Sequence, residues 1–90
     1  MDIKKGDNKF FIGEDELNPE GELVFDFDKD GDYVIKHTEV QDSLSGQGAG
    51  KRLVDTMVDF ARQEDKKIKA ECPFARSVME KDNDHKQLLK

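Results

Sequence analysis

A mixed α+β fold is predicted for this chain: an antiparallel three-stranded meander, one central helix, a parallel fourth strand and a short C-terminal helix. Three observations predict it. Alternating apolar stretches bounded by turn residues fill the first part of the chain, a helical apolar stripe follows a glycine-rich turn, and a second alternating stretch follows the helix.

Lys9-Phe10-Phe11-Ile12 is a short apolar run closed by Gly13 and reads as the first strand. Glu14 to Gly21 is acidic and carries Asn18-Pro19, a turn dipeptide. Leu23, Phe25 and Phe27 recur at period two, so Glu22 to Asp28 reads as a half-buried strand. Lys29-Asp30-Gly31-Asp32 holds an Asp-Gly turn, the best hairpin signal in the chain, and Tyr33 to Val40 returns as the third strand. Asp42, Ser43 and Ser45 are each able to cap a helix. From about Ala49 to Glu64, Leu53, Val54, Met57, Val58 and Ala61 recur at helical spacing, with Lys51, Arg52, Asp55, Asp59 and Arg62 elsewhere. Lys66-Lys67 suits the negative end of that helix. Ile68 to Cys72 alternates as a strand and stops at Pro73. Ala75 to Lys81 is a helical turn with Val78 and Met79 inward. The polar stretch from Asp82 leads to Leu88-Leu89, which either docks or frays, and His85 within it is expected to be exposed. The strand to Val40, the helix and the strand to Cys72 form a right-handed crossover if the strands are parallel. Ligands favour the carboxyl ends of such strands.

Composition sets limits. Ninety residues suit a single domain, 1–90, and with 34% hydrophobic against 40% charged residues its core must be thin. The net charge of −6 argues against a nucleic-acid-binding surface, which needs clustered Lys and Arg. A lone cysteine cannot form an internal disulfide and fits a reducing setting. Met1-Asp2-Ile3-Lys4-Lys5 has no apolar stretch after its charges, so no secretory signal is expected. No run approaches the roughly 20 apolar residues that span a bilayer. The expectation is a cytoplasmic monomer or weak homodimer without nucleic-acid or membrane partners. The aspartates at 26, 28, 30 and 32 lack an EF-hand's closing glutamate, so a solvated surface and no metal are expected.

Gly46-Gln47-Gly48-Ala49-Gly50 lets backbone N–H groups approach an anion at a helix start, where the dipole, Lys51 and Arg52 add attraction. A Walker loop fails, because Ser45 stands at its first glycine and Arg52 at its hydroxyl position. The dinucleotide pattern fails because the third glycine comes one residue early. Without context, a flexible turn at the helix start explains the glycines as well. The context is Ser45-Gly46-Gln47-Gly48-Ala49-Gly50-Lys51-Arg52-Leu53-Val54 after a strand ending in Val40. This resembles the acetyl-coenzyme A signature of the GNAT superfamily of N-acetyltransferases, Gln/Arg-x-x-Gly-x-Gly/Ala. Gly48, Ala49 and Gly50 fit, while Ser45 stands where Gln or Arg is usual. With His37-Thr38-Glu39-Val40 and Glu71-Cys72-Pro73-Phe74 in order, nearly the whole chain is similar to the compact GNAT-like subfamily. The resemblance implies a minimal GNAT-type fold and acetyl-coenzyme A bound along Ser45 to Arg52. It also implies backbone contacts from Thr38 and Val40 to the pantetheine amides, and a cysteine near the acetyl group.

Cys72 is either a thiol that accepts the acetyl group or a small buried apolar residue, and the resemblance brings the first reading level with the second. His37 and Glu39 share a strand face if the pleat is regular, and either could take a proton from an amine or from Cys72. Their ordinary readings are a satisfied strand histidine and a solvated carboxylate, and a bulge could separate their faces. Tyr33 falls at the wrong end of its strand for a general acid. Phe74 is the phenylalanine expected near the ligand, the others being core. The expected activity is transfer from acetyl-coenzyme A to an unidentified small or protein amine. The alternative is a non-catalytic coenzyme A-binding or protein-interaction module, consistent with small size and the lack of an evident general acid.

Overall fold

The computed structural model describes residues 1–90. Its strands are β1 (Ile3–Gly6), β2 (Lys9–Ile12), β3 (Gly21–Phe27), β4 (Tyr33–Val40) and β5 (Ile68–Ala70). Its helices are α1 (Ala49–Gln63), α2 (Pro73–Glu80) and α3 (Asn83–Lys86). The strands form one sheet in chain order, antiparallel from β1 to β4, with β5 parallel to β4. The stripe of Leu53, Val54, Met57, Val58 and Ala61 is buried against Phe10, Ile12, Leu23, Phe25, Ile35 and Ile68. Phe10, Phe25, Tyr33 and Phe60 interlock there with ring centroids 5.3–6.0 Å apart, a spacing that adds favourable edge contacts to apolar burial.

Two local features shape the region around β4. Val24 stands opposite His37 and Phe25 opposite Ile35, so Lys36 is the extra residue of a β-bulge. The alternation of β4 reverses there: Tyr33 and Ile35 face α1 before the bulge, and Thr38 and Val40 after it. The other feature is the shortness of β5, which pairs with β4 only along Tyr33–Ile35. The Ile35 carbonyl accepts the N–H of both Glu71 (3.1 Å) and Cys72 (3.3 Å), and beyond that point the two chains part.

The mixed class, the central helix and the single parallel pair are as expected, but the meander gains a strand. β1 is an edge strand carrying Lys4 and Lys5, and charge at an edge discourages pairing with other chains. Its strand state comes from pairing with Phe10 to Ile12 rather than from its own pattern. The carboxyl-terminal segment docks: Ile68 donates to the Leu88 carbonyl and Lys90 to the Ile68 carbonyl, both at 2.7 Å. The Lys90 ammonium lies 2.6, 2.9 and 3.1 Å from the carboxylates of Asp28, Asp30 and Asp32, so those residues are not simply solvated. His85 is a correction. It is only 8% exposed, because α3 turns it onto α1, 3.2 Å from Asp55. No helix is long and apolar enough to cross a membrane.

Candidate active site

Where β4 and the chain after β5 part, a cleft of about 360 Å³ opens. Thr38 and Val40 of β4 form one side, Leu44 to Gly46 and Gly48 to Lys51 the rim, and Phe74 of α2 the opposing wall. Ser45, Gly46, Gly48, Ala49, Gly50, Lys51, Thr38, Val40 and Phe74 are thus brought together. Gln47 and Arg52 are not part of the walls: the Gln47 amide turns to the Ser43 carbonyl, and Arg52 borders a separate hollow with Asp55 and Asp59.

The rim leaves backbone N–H groups open to the cleft. Gly46 and Gly48 have φ of 79° and 70°, a left-handed conformation that glycine adopts without steric cost. A Cβ on either would meet no atom within 4 Å, so the loop's outer surface is open. Gly48 is the N-cap of α1 and no side chain caps the helix, so the expected capping role of Asp42, Ser43 and Ser45 is corrected. Asp42 to Leu44 instead form a 3-10 turn ahead of the glycines. The backbone N–H groups of Ala49, Gly50 and Lys51 have no partner within the chain. These orphan donors, at the positive end of a 15-residue helix, suit the oxygens of a phosphate. Lys51 adds a cation held by Asp55 at 2.9 Å, a hydrogen bond that raises its pKa and keeps it charged.

Gly50 is different. Its φ is not in the left-handed region, yet a Cβ there would sit 2.7 Å from Cζ and 2.9 Å from Cε2 of Phe74. This third glycine of the loop makes room for a ring.

Cys72 is 7% exposed and belongs to the core, but its Sγ lies 3.7 Å from Oγ1 of Thr38, a wall of the cleft. It is the N-cap of α2, with Pro73 in the first helical turn. His37 and Glu39 do share a face, since the bulge precedes both, but that face is turned away from α1 and the cleft walls. There His37 Nε2 is 3.4 Å from Glu22, whose other oxygen meets Lys9 at 2.9 Å. Burial pushes the Glu22 carboxyl up, but hydrogen bonds from Lys9 and His37 outweigh it and hold the pKa below its ordinary value. On the same face, Lys36 reaches Glu71 at 2.8 Å, bridging the strands where they separate. Their hydrogen bond raises the lysine and lowers the carboxylate. Tyr33 is buried at the far end of β4, and burial raises its phenol's pKa.

Leu44, Glu22 and the Lys36–Glu71 pair were not foreseen. Leu44 had one signal, an isolated apolar residue in a polar loop; the acidic group depends on strand register, which local pattern does not specify.

Fold and cleft together define an α+β protein with an unpartnered helix start at a divided parallel strand pair. The chain matches the model of the family described as GCN5-related N-acetyl-transferase over residues 9–88. It belongs to that family and is by class an acetyltransferase. It is also similar to an NMR solution structure from Staphylococcus aureus described as a "GCN5-like putative N-acetyltransferase". The two share 40% identity with a TM-score of 0.83, over 99% of this chain and 87% of that one. None of the curated proteins matches the chain.

Proposed function

We propose that residues 1–90 work as one unit that binds acetyl-coenzyme A in this cleft and transfers the acetyl group to an amine. The carrying observation is the row of unpartnered N–H groups from Ala49 to Lys51, opening onto the split between β4 and β5. They fit a pyrophosphate, with Lys51 as an additional counter-charge. Gln41 N–H bonds back to the Glu20 carbonyl at 2.8 Å, so by strand alternation Thr38 and Val40 direct their backbone groups to the open side. Those groups suit the amides of the pantetheine arm.

Cys72 lies at the inner end of this path, beside Thr38. That place supports a route in which the Cys72 sulfur bonds to the acetyl carbon as the coenzyme's carbon–sulfur bond breaks, and the amine nitrogen then displaces the Cys72 sulfur. In the direct route the amine nitrogen bonds to the acetyl carbon as the carbon–sulfur bond breaks. His37 or Glu39 would then take the amine's proton from the outer face of the sheet. The net charge of −6 favours a cationic amine over an anionic acceptor.

The test combines melting curves with intact mass. Coenzyme A and acetyl-coenzyme A at about a hundred times Kd should stabilise the fold by about 2.7 kcal/mol. No shift at millimolar ligand would sink the reading. A shift without acetyl transfer to any of a panel of amines leaves the binding module. An acetyl adduct absent from Cys72→Ala supports the covalent route.

A further inference from the structure

The buried histidine, His85, meets the rim of the cleft through a single carboxylate. Asp55 stands one turn after Lys51 on α1, and its Oδ2 holds the Lys51 ammonium at 2.9 Å. Its other oxygen, Oδ1, lies 3.2 Å from Nε2 of His85. That oxygen and Nδ1 of the same imidazole are both buried without a hydrogen-bond partner. Asp82, the cap of α3, is the second carboxylate that reaches the ring, its Oδ2 3.7 Å from Nε2. On the cationic side, Lys51 shares Asp55, and Arg62 of α1 meets the Asp84 carbonyl at 3.1 Å. The neighbouring helix α2 buries only the apolar Ala75 and Met79. His37, the other histidine, is on the far side of the sheet beside Glu22.

We propose that Asp55 is a positioning residue for Lys51 whose hold is set by the protonation of His85, so that proton binding at His85 and coenzyme binding at the rim favour each other. The proposal rests on the coenzyme reading above. While His85 is neutral, Lys51 is the one cation against the Asp55 carboxylate. Protonation supplies a second, on a carboxylate oxygen shielded from water, where charge acts strongly. Asp55 then holds Lys51 less tightly, and its own negative charge, one turn from the free N–H groups of Ala49 to Lys51, is offset. Both changes favour an anion at the rim. Such coupling is reciprocal, so a bound anion must in turn favour the protonated imidazole.

The test follows the imidazole C–H signals of both histidines by NMR in the full chain, over about pH 5–8, where histidine ordinarily changes charge. Saturating coenzyme A should move the His85 titration to higher pH and leave that of His37 in place. In Asp55→Asn the His85 titration should stop responding to coenzyme A, an effect that a merely structural role for Asp55 would not produce. Calorimetry reads the reciprocal. Phosphate groups of the coenzyme also titrate near pH 6, so the reading is a difference between proteins. From about pH 8 to about pH 5 the wild type should gain about two- to fivefold in coenzyme affinity relative to His85→Gln. The NMR titration of the wild type stands even where His85→Gln does not fold. A His85 titration unmoved by coenzyme A, moved equally with that of His37, or moved as far in Asp55→Asn would overturn the inference while leaving coenzyme binding intact. Failure of coenzyme A to bind the wild type at any pH would overturn both.

Discussion

Two of the loop's glycines serve conformation. At Gly48, φ of 70° with no neighbour within 4 Å of a Cβ means that substitution there meets backbone strain without steric overlap. An L-residue in this region costs about 1–2 kcal/mol. For a domain of this size each kcal/mol moves the melting temperature by roughly 4–8 °C. Gly48→Ala should therefore melt several degrees lower, and Gly48→Asn should recover part of the loss because asparagine tolerates left-handed backbone. Equal melting of the alanine and wild-type proteins would show that the loop relaxes out of this conformation.

Among elements, α1 does most of the joining. Its inner stripe meets every strand from β2 to β5 in one core, and its first turn is also the rim of the cleft. Met57 is fully buried in that stripe, so Met57→Ala should cost about 2–5 kcal/mol through lost burial and the cavity left behind. Against a typical total of about 5–15 kcal/mol, such a loss leaves little reserve. Leu17, 90% exposed in the acidic turn, is the matched control, and Leu17→Ala should stay within about 0.5 kcal/mol of wild type. Urea titrations would check both, the midpoint moving for Met57 at unchanged slope.

Across the whole molecule, the carboxyl-terminal segment ties the end of the chain to the β3–β4 hairpin through Lys90. Hydrogen bonding from Lys90 lowers the pKa of Asp28; for Asp32 the Lys67 N–H contributes most and Lys90 next. Depressed carboxylates stabilise the fold above their unfolded pKa, near 3.8, and that contribution is lost as pH falls through their lower folded values. The Lys90 pKa is raised, so its share is complete below the ordinary lysine value of 10.5 and lost only as pH rises through the folded one. Lys90→Met should consequently be less stable than wild type at neutral pH, with the two curves converging in acid below pH 3.8. Added salt should narrow the neutral gap. A gap independent of pH and salt would mean that the segment is held by Leu88 and its backbone hydrogen bonds alone.

The parts legible in the amino-acid sequence are those whose causes are local. The stripe from Leu53 to Ala61 specifies α1, the Asp30-Gly31 turn closes its hairpin, and Gly46 to Gly50 announce an open loop at a helix start. Each rests on periodicity or turn chemistry within a few neighbouring residues. Contacts between distant residues decided the rest. β1 exists through its pairing with β2, and His85 is buried because α3 folds onto α1. The bulge at Lys36 sends Thr38 and Val40 toward the cleft and His37 and Glu39 to the other face. Gly50 shows the boundary most sharply. As a letter in the motif it matches Gly46 and Gly48; only packing against Phe74, 24 positions later, makes it the seat of a ring, because steric space is a property of the assembled fold.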